Sequence, residues 1–461
     1  MIKMDSTANG SKALFKNYEE ILHGPLQHLR RDALAIVESG IKSAIPYHSV
    51  KEKMRLKGDI LTIDSHTFDL SAYDRILVIG VGKGAYPIAM ALEECLGNRI
   101  DRGFVAVKDS GARKLEHIRV FPSSHPIPDE RSVSAGEIIR EMLCSTTEKD
   151  LILAPITGGS SALVNLPPEE ISIGDLAETN RLLLECGATI GEINTVRKHL
   201  CRLKGGGFLR AAQPAHVVTI TLDTAPPDMP WPDLVLPDET TFSDALNVIR
   251  QYDLTERIPQ SVMQYLKDSV FHAERETLKT LSGLHQTLVY TTSPFSCCMA
   301  ARREAERLGY HAMILSSCIE GEAKDFGIGM AGVAREIHRN GIPLPAPCAV
   351  ISGGETTVTI QDAAGYGGPN QECVLGFAWK AQDCGNAVFV SVDTDGTDGP
   401  TDLAGGICDS NTRNEMTEAG VDIKDCLNHH DAGTGLQKAH DHIITGHTGT
   451  NVMNLRVLLV E

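Results

Sequence analysis

The chain has 461 residues, 42% of them hydrophobic and 22% charged, with a formal net charge of −17 at pH 7. This length exceeds what a single hydrophobic core usually organises, so the sequence predicts two or three domains. The acidic balance, with Lys and Arg in no block longer than a pair, argues against a surface that binds nucleic acid or an anionic membrane.

Twelve cysteines are scattered singly, apart from the neighbours Cys297 and Cys298, and none forms a CxxC pair. This usage predicts reduced, mostly buried thiols. Residues 1–12 are polar and lack the apolar core of a signal peptide, and no apolar run approaches the ~18 residues of a membrane span. We therefore expect a cytoplasmic protein with a flexible tail at residues 1–12.

The first half alternates strand and helix patterns, which predicts a Rossmann-like, mostly parallel sheet with helices on both faces over residues 13–255. The predicted strands are 75–79, 103–107, 151–156 and 217–222, and the predicted helices are 13–43, 86–96, 132–143 and 173–186. A proline-dense segment at 223–237 is predicted to be a connecting loop or an active-site wall.

The second half predicts a smaller α/β domain at 286–461, after a connecting segment at 256–285. Its predicted strands are 287–290, 311–315, 348–352, 388–392, 443–445 and 455–460. Its predicted helices are 296–308, 323–340 and 369–382.

A glycine turn follows the strand at 75–79. Gly80-x-Gly82-x-x-Ala85 matches the Rossmann fingerprint, which is typical of dinucleotide binding. The same turn, with Lys83 inside it and a helix behind it, equally suits another phosphate or a carboxylate. A Walker loop is excluded because Lys83 is followed by Gly84.

A second glycine turn, Gly158-Gly159-Ser160-Ser161, follows the strand at 151–156 and partly matches the nucleophile elbow of hydrolases. We favour a phosphate cradle, because a glycine pair can turn backbone amides toward an anion and no oxyanion segment precedes it.

A cationic helix is predicted next. Asn194, Arg197 and Lys198 lie at positions i, i+3 and i+4, so they share one helix face. In an acidic protein this face indicates an anion site, and a solvated basic helix is the alternative.

Two polar segments of the second half also have a ligand-binding pattern. A strand runs into the glycine pair 353–354 and Glu355. Asn370 and Gln371 follow Pro369 in the first turn of a predicted helix, where their amides could orient hydroxyls or a carboxylate.

Residues 391–402 form an acidic loop that follows the apolar run 387–390. Like charges repel unless a cation or a set of donors compensates them, so the loop indicates a hard metal ion or a polyhydroxylated substrate, with a solvated turn as the alternative. The spacing is not that of an EF-hand, and Mg²⁺ shared with a phosphate fits better. The predicted metal ligands are Asp393, Asp395 and Asp398.

Nine segments together resemble the glycerate 2-kinase family whose C-terminal half is the MOFRL domain, and the match runs over almost the whole chain. They are ILVIGVGKGA (76–85), SSHPIPDE (123–130), ITGGSSAL (156–163), GATIGEINTVRKHLCRLKGG (187–206), PDETTFSDAL (237–246), ISGGETTVTI (351–360), GGPNQE (367–372), DTDGTDGPTDLAGG (393–406) and TGHTGTNVMNL (445–455).

The resemblance implies a two-domain α/β enzyme with its active site in the cleft between the domains. Such an enzyme transfers the γ-phosphoryl group of ATP to the 2-hydroxyl of D-glycerate with Mg²⁺, and some relatives carry the label hydroxypyruvate reductase. It therefore implies ATP and Mg²⁺ as cofactors and a small hydroxy acid as substrate, and it leaves a homodimer open.

The resemblance also assigns roles to individual residues. Lys83 would meet the transferring phosphoryl group, and Arg197 and Lys198 would help to hold anionic groups. The residues assigned to the metal and substrate end are Glu355, Asp393 and Asp398.

Four segments depart from the family pattern. The family usually reads GGRNQE, but Pro369 replaces that arginine here, and proline cannot imitate a guanidinium that faces a phosphate. The family's SDVPGD and SGPT segments appear as LDTAPPD (222–228) and DLVL (233–236), and TGPTGTN has become TGHTGTN (445–451). The replacement cations suggested by their place in the motifs are Lys108, Arg202 and His447.

These departures predict a specialised branch that keeps the fold and the nucleotide chemistry while the acceptor, or activity itself, changes. The leading hypothesis is an ATP-dependent kinase of glycerate or a related short sugar acid. The alternatives are an NAD(P)H-dependent hydroxypyruvate reductase and a non-catalytic ligand sensor.

Overall fold

The computed structural model describes residues 14–108, 114–124, 128–222, 232–360 and 365–461. The chain divides into two compact units. We call Pro46–Thr291 the N-terminal unit, and the described residues up to Ile45 together with Thr292–Glu461 the C-terminal unit. This division differs from the boundaries expected from the sequence, because residues up to Ile45 pack with the C-terminal residues.

The α-helices are numbered in chain order. Those of the N-terminal unit are α3 Pro46–Lys53, α4 Ala85–Leu96, α5 Glu130–Cys144, α6 Ser160–Leu163, α7 Ile173–Glu185, α8 Ile190–His199, α9 Gly207–Ala212, α10 Phe242–Gln251 and α11 Gln260–Ser269. Those of the C-terminal unit are α1 Tyr18–Ile21, α2 Gln27–Ala44, α12 Pro294–Arg307, α13 Ala323–Asn340, α14 Pro369–Lys380, α15 Thr412–Glu418, α16 Ile423–Asn428 and α17 Ala432–Lys438. Within the described ranges, no helix combines the length and apolar character needed to cross a membrane.

The strands are numbered in the same way. They are β1 Met54–Lys57, β2 Ile60–Ile63, β3 His66–Asp69, β4 Arg75–Val81, β5 Arg102–Val107, β6 Ile118–Pro122, β7 Asp150–Pro155, β8 His216–Leu222, β9 Gln286–Thr292, β10 His311–Ile319, β11 Cys348–Gly354, β12 Ala387–Asp393, β13 Gly405–Asp409, β14 His442–Ile443 and β15 Asn454–Val460.

The main sheet of the N-terminal unit has the order β6-β5-β4-β7-β8-β9. The pairs β4–β5, β5–β6, β4–β7 and β7–β8 are parallel. This order is that of a doubly wound sheet, in which the direction of winding reverses between β4 and β7. Ligands of such sheets bind beyond the carboxyl ends of the strands at that reversal, so the turns after β4 and β7 occupy the expected place.

Both faces of this sheet are buried. Along β4, Leu77, Ile79 and Val81 enter one hydrophobic core, whereas Ile76 and Val78 enter the other. Alternate residues of a strand point to opposite faces, so the continuous apolar run of β4 covers a layer on each side. Burying each such side chain contributes about 1.5–3 kcal/mol. A small antiparallel sheet, β1-β2-β3, accompanies this unit.

The sheet of the C-terminal unit has the order β10-β11-β15-β12-β13-β14. The pair β10–β11 is parallel, and the other pairs are antiparallel. One core contains α2 and α12 residues against the sheet, and a second contains α13 and α14 residues. The fold class expected from the sequence is thus confirmed for the α/β layers, while the C-terminal sheet is mixed.

Candidate functional site

The glycine turns after β4 and β7 are joined to each other. A side-chain carbon on Gly82, whose φ is 139°, would lie 2.2 Å from Thr157 Oγ1. The Gly84 amide donates to Thr157 Oγ1 over 2.8 Å, and the Lys83 amide donates to the Gly158 carbonyl over 2.8 Å. Glycine is therefore required at position 82, where the two turns approach most closely.

The amides of the first turn are already used. Gly82 donates to the Ala106 carbonyl over 3.1 Å, and the Lys83 and Gly84 amides are taken by the second turn. A Rossmann turn needs free amides at this place to bind a pyrophosphate. The exposed Lys83 side chain is consequently the group that this turn offers to an anion.

The second turn offers its own donors. Among the described residues, the Gly158 and Gly159 amides find no acceptor, and the buried Ser160 hydroxyl has no hydrogen-bond partner. Ser161 is partly buried beside them. Free amides and a free hydroxyl near the exposed Lys83 form a cradle suited to a phosphate or a carboxylate.

Helix α8 carries the cationic face expected from the sequence. A capping box between Thr189 and Glu192 fixes the start of the helix. Arg197 Nε donates to Asn180 Oδ1 over 2.7 Å, and burial lowers the pKa of Arg197. Asn194 is partly buried. Because the partner of Arg197 is a neutral amide, its charge remains available to an anionic ligand.

Two lysines near this helix differ in their partners. Lys198 Nζ donates to Asp238 Oδ1 over 2.9 Å, so its charge is already neutralised. Lys204 is buried, its Nζ donates to Asn165 Oδ1 over 2.9 Å, and burial lowers its pKa. Asp233, in a segment that departs from the family, has a buried Oδ1 without a hydrogen-bond partner, and burial raises its pKa. Within the described residues neither Arg197 nor Lys204 forms an ion pair with a carboxylate.

The acidic loop after β12 holds two neighbouring carboxylates at its start. The Asp395 amide donates to Asp393 Oδ1 over 3.1 Å, and the Thr397 amide donates to Asp395 Oδ1 over 2.9 Å. Burial, followed by the charge of Asp395, raises the pKa of Asp393 well above its usual range. These two carboxylates therefore favour a compensating cation.

Asp398 plays a different part. Its Oδ1 accepts from the backbone amide and the side-chain amide of Asn370, and its Oδ2 accepts from the Gln371 amide, each over 3.0 Å. These donors belong to the first turn of α14, so the carboxylate satisfies amides that would otherwise lack an acceptor. Pro369 is the first residue of α14. A backbone N–H at this position has no acceptor within the helix, so proline can lack it without cost.

Asn370 and Gln371 are buried rather than presented to a ligand. Asn370 Oδ1 accepts from the Ser391 hydroxyl over 2.5 Å, and Gln371 Nε2 donates to Thr401 Oγ1 over 2.9 Å. Both residues are at most 1% exposed. Their side chains hold the acidic loop against α14. The sequence predicted instead that these amides bind the substrate.

Glu355 faces the acidic loop from the end of β11. Partial desolvation raises its pKa first, the charges of Asp398 and Asp395 raise it further, and Arg456 opposes them, although the side chain keeps an exposed surface. The residue beside it, Thr356, accepts a hydrogen bond from Arg456 over 2.7 Å. Sequence reasoning missed Arg456 because an arginine in an apolar strand has no motif around it.

The three carboxylates expected to bind a metal ion lie in different surroundings. Across the described ranges, no group of three or more His, Cys, Asp or Glu side chains is placed to hold a metal ion. Asp398 is almost completely buried and accepts three hydrogen bonds from the start of α14, whereas Asp393 and Asp395 are only partly buried. Two carboxylates still match Mg²⁺, which takes its remaining ligands from water and phosphate.

The replacement cations suggested by the sequence lie in different places. Lys108 is exposed at the end of β5, and Arg202 Nη1 lies 3.9 Å from Glu169 Oε1. His447 is exposed in a segment that contacts the acidic loop, where the neighbouring Thr448 hydroxyl donates to the Thr394 carbonyl.

Comparison with known proteins adds independent findings. A family model described as a domain of unknown function, DUF4147, matches residues 32–267, and the MOFRL family model matches residues 348–454. A glycerate 2-kinase from Pyrococcus horikoshii is 37% identical over 94% of this chain and 97% of its own length. A protein from Agrobacterium vitis with the provisional name hydroxypyruvate reductase is 34% identical over 84% of this chain and 87% of its own length.

A solved structure is also similar. The crystal structure of a glycerate kinase from Thermotoga maritima superposes with a TM-score of 0.82 at 32% identity, and the match covers 94% of this chain and 100% of that one.

Proposed function

We propose, because the chain belongs to the glycerate kinase family, that it transfers the γ-phosphoryl group of ATP to the 2-hydroxyl of D-glycerate or to a hydroxyl of a related short sugar acid. The observation that carries the proposal is the anion cradle formed by the two glycine turns and Lys83. The kinase names of the relatives support the reaction class.

In this proposal the cradle binds the transferring phosphoryl group. The Gly158 and Gly159 amides and the Ser160 hydroxyl would donate to its oxygens, and Lys83 would place a cation beside them. Hydrogen bonds to charged groups contribute about 1.5–3 kcal/mol each. Donors fixed by packing before the reaction stabilise the developing charge without reorganising.

Arg197 and Lys204 would hold a second anionic group, such as the carboxylate of the acceptor. Both are oriented by a neutral amide, from Asn180 and Asn165 respectively, rather than by an acid. Neither forms an ion pair with a described carboxylate, whereas Lys198 forms an ion pair with Asp238.

The residues of the C-terminal unit fit a magnesium ion. Asp393 and Asp395 are adjacent, partly buried carboxylates whose mutual repulsion a cation would relieve. Magnesium prefers one or two carboxylates with water and phosphate oxygens, and when bound it neutralises charge on the transferring group. Glu355 would accept a hydrogen bond from the attacking hydroxyl and orient it.

The test is a turnover assay with ATP, Mg²⁺ and a panel of small hydroxy acids, in which ADP release is measured. We expect turnover with D-glycerate or a close analogue, and loss of turnover when the metal is chelated. An absence of ADP release with every acceptor, from protein that is folded by circular dichroism, would overturn the proposal.

A hydroxypyruvate reductase remains the second candidate, since the doubly wound strand order also suits dinucleotide binding and one relative carries that name. The occupied amides of Gly82, Lys83 and Gly84 disfavour it, because a pyrophosphate would find no free donor among them. Incubation with NADPH or NADH and hydroxypyruvate separates the two functions: we expect no oxidation of the reduced nicotinamide.

A further inference from the structure

Two arginines of the C-terminal unit are completely buried, and they are held in different ways. Arg30 donates to Asp409 Oδ2 over 2.7 Å and to Asp441 Oδ1 over 2.6 Å. Arg456 forms no ion pair with any described residue and is also 0% exposed. A buried charge without a paired counter-charge is unfavourable, so Arg456 needs another reason to be there.

The hydrogen bonds of Arg456 lead to the residue that follows Glu355. Its Nη2 donates to Thr356 Oγ1 over 2.7 Å and to Asn454 Oδ1 over 2.6 Å. Asn454 Oδ1 also accepts from the Thr356 amide over 3.2 Å. The guanidinium therefore holds the side chain of Thr356 and orients Asn454, which in turn accepts from the Thr356 backbone amide. Together these contacts fix the backbone next to Glu355.

Arg456 lies beside the groups that hold the acidic loop. In the sheet it pairs with Ser391 of β12, and residues paired across antiparallel strands point to the same face. The Ser391 hydroxyl donates to Asn370 Oδ1, and Asn370 donates to Asp398. The guanidinium thus sits next to the hydrogen-bonded chain that ends at Asp398.

The charged groups near Arg456 include Glu355, which is proposed to orient the attacking hydroxyl. Glu355 and Asp398 are the carboxylates that act on it electrostatically. Its Nε and Nη1 are buried and have no hydrogen-bond partner, and its guanidinium lies 5.3 Å from the centre of the Phe326 ring. Burial lowers the pKa of Arg456, and Cys373, Glu355 and Asp398 oppose that shift without forming an ion pair with it.

We propose that Arg456 is a positioning residue for phosphoryl transfer, which fixes Glu355 through Thr356 and balances the negative charge of the acidic loop from within the sheet. The inference rests on the proposed function. Arg456 would supply a cation on the C-terminal unit. The motif expected to carry an arginine in this unit has Pro369 instead.

The experiment compares Arg456→Met, Arg456→Lys and Thr356→Val with the matched control Arg30→Lys, a change to the other completely buried arginine of this unit. Steady-state kinetics gives kcat and the KM for ATP and for the acceptor. Hydrogen exchange measured by mass spectrometry gives the protection of residues 353–357.

We expect Arg456→Met to lower kcat by about 10- to 100-fold while the KM for ATP changes by less than about threefold, because misplacing a reacting group affects the chemical step more than nucleotide binding. Arg456→Lys should recover part of the loss, since it keeps the charge but not both hydrogen bonds. Thr356→Val should lose part of the rate with the charge intact. Arg30→Lys should lower the unfolding midpoint and leave kcat of the folded protein within about twofold.

Three results would overturn the inference. The first is an Arg456→Met variant with unchanged kcat. The second is a loss of kcat that Arg30→Lys matches, which would make the role of Arg456 structural alone. The third is unchanged hydrogen exchange at residues 353–357 in Arg456→Met. The exchange measurement needs no turnover, so it tests the contact between Arg456 and residues 353–357 separately. Absence of turnover in wild-type protein would overturn the proposed function, whereas unchanged exchange would overturn the positioning by Arg456.

Discussion

Lys83 uses its backbone and its side chain for separate purposes. The amide joins the two glycine turns, whereas the side chain is exposed beside the free amides of the second turn. A substitution that keeps the backbone should therefore leave the fold unchanged and remove only the charge.

For Lys83→Met we expect kcat to fall by about 10²- to 10³-fold, the cost of losing one group that stabilises transition-state charge. The unfolding midpoint should stay close to that of wild type. Lys267→Met, at an exposed lysine of α11, is the matched control and should retain full activity. A Lys83→Met variant as active as this control would remove Lys83 from the mechanism.

Pro369 is a second residue where structure and chemistry can be separated. It occupies the first position of α14, which accepts other residues, because the first-turn amides of Asn370 and Gln371 are held by Asp398. Arginine should therefore be tolerated there.

We expect Pro369→Arg to increase kcat with D-glycerate, since it restores the guanidinium that the family motif carries, while stability changes by less than about 1 kcal/mol. Pro369→Gln controls for the loss of proline without adding charge. Equal rates in wild type and Pro369→Arg would mean that another cation already serves the site, and Arg456 is the first to examine.

At the scale of elements, α14 is held to the acidic loop by one carboxylate. Asp398 accepts three N–H donors from the first turn of the helix, so the loop and the helix start form one hydrogen-bonded structure. The conformation of the loop at Asp393 and Asp395 depends on this attachment.

For Asp398→Ala we expect a loss of about 1–3 kcal/mol of unfolding free energy, because buried amides lose their acceptor. Asp393→Asn should instead retain stability and raise the Mg²⁺ concentration needed for turnover. Denaturant unfolding and magnesium titrations measure the two effects. Should Asp398→Ala keep full stability but lose magnesium dependence, Asp398 would be a metal ligand after all.

Periodicity predicts elements well where a strand or helix is long and evenly buried. The strands that become β4, β5, β7 and β8 were recognisable because parallel strands with two buried faces read as continuous apolar runs. Helix α13 matches its predicted bounds. The glycine turns of the cradle could also be predicted. Because strands and helices alternate, a turn that follows a strand lies at the edge of the sheet.

Other elements could not be read from the sequence for physical reasons. β13, Gly405–Asp409, begins with two glycines and contains one large apolar residue, and its burial comes from tertiary packing. The hydrogen bonds of Asp398 to the start of α14 join residues 27 and 28 positions apart, and no spacing rule predicts them. Likewise, only the fold shows that Lys198 has an acid partner while Arg197 and Lys204 have amides.

At the scale of the whole molecule, residues near the N-terminus form ion pairs with residues of the C-terminal unit that are far away in sequence. Arg30 joins Asp409 and Asp441, and His23 Nε2 lies 3.0 Å from Asp441 Oδ1 and its Nδ1 3.8 Å from Glu415 Oε2. The hydrogen bond with Asp441 raises the pKa of His23 above 6.5, against opposition from burial and from Arg30, with further help from the charges of Asp441 and Glu415.

This cluster predicts how stability depends on pH. Since the pKa of His23 is raised in the folded state, its contribution is fully present below about pH 6.5 and is lost as the pH rises through the folded-state value. The unfolding free energies of wild type and His23→Gln should thus differ most below about pH 6.5, and the difference should shrink as the pH rises. His28→Gln, at a more exposed histidine paired with Glu461, is the control. A gap that stays constant as the pH rises would contradict the assignment.

The membership of α2 in the C-terminal unit has a consequence for synthesis on the ribosome. Its apolar face packs against β12, β15 and α12, which are translated long after it. At about 5–20 residues per second, α2 would wait roughly 20–80 s for β15, whereas all the strands and helices of the N-terminal unit emerge before then. The apolar face of α2 therefore lacks its partners while the N-terminal unit is synthesised, so we expect α2 to need chaperone protection on the nascent chain.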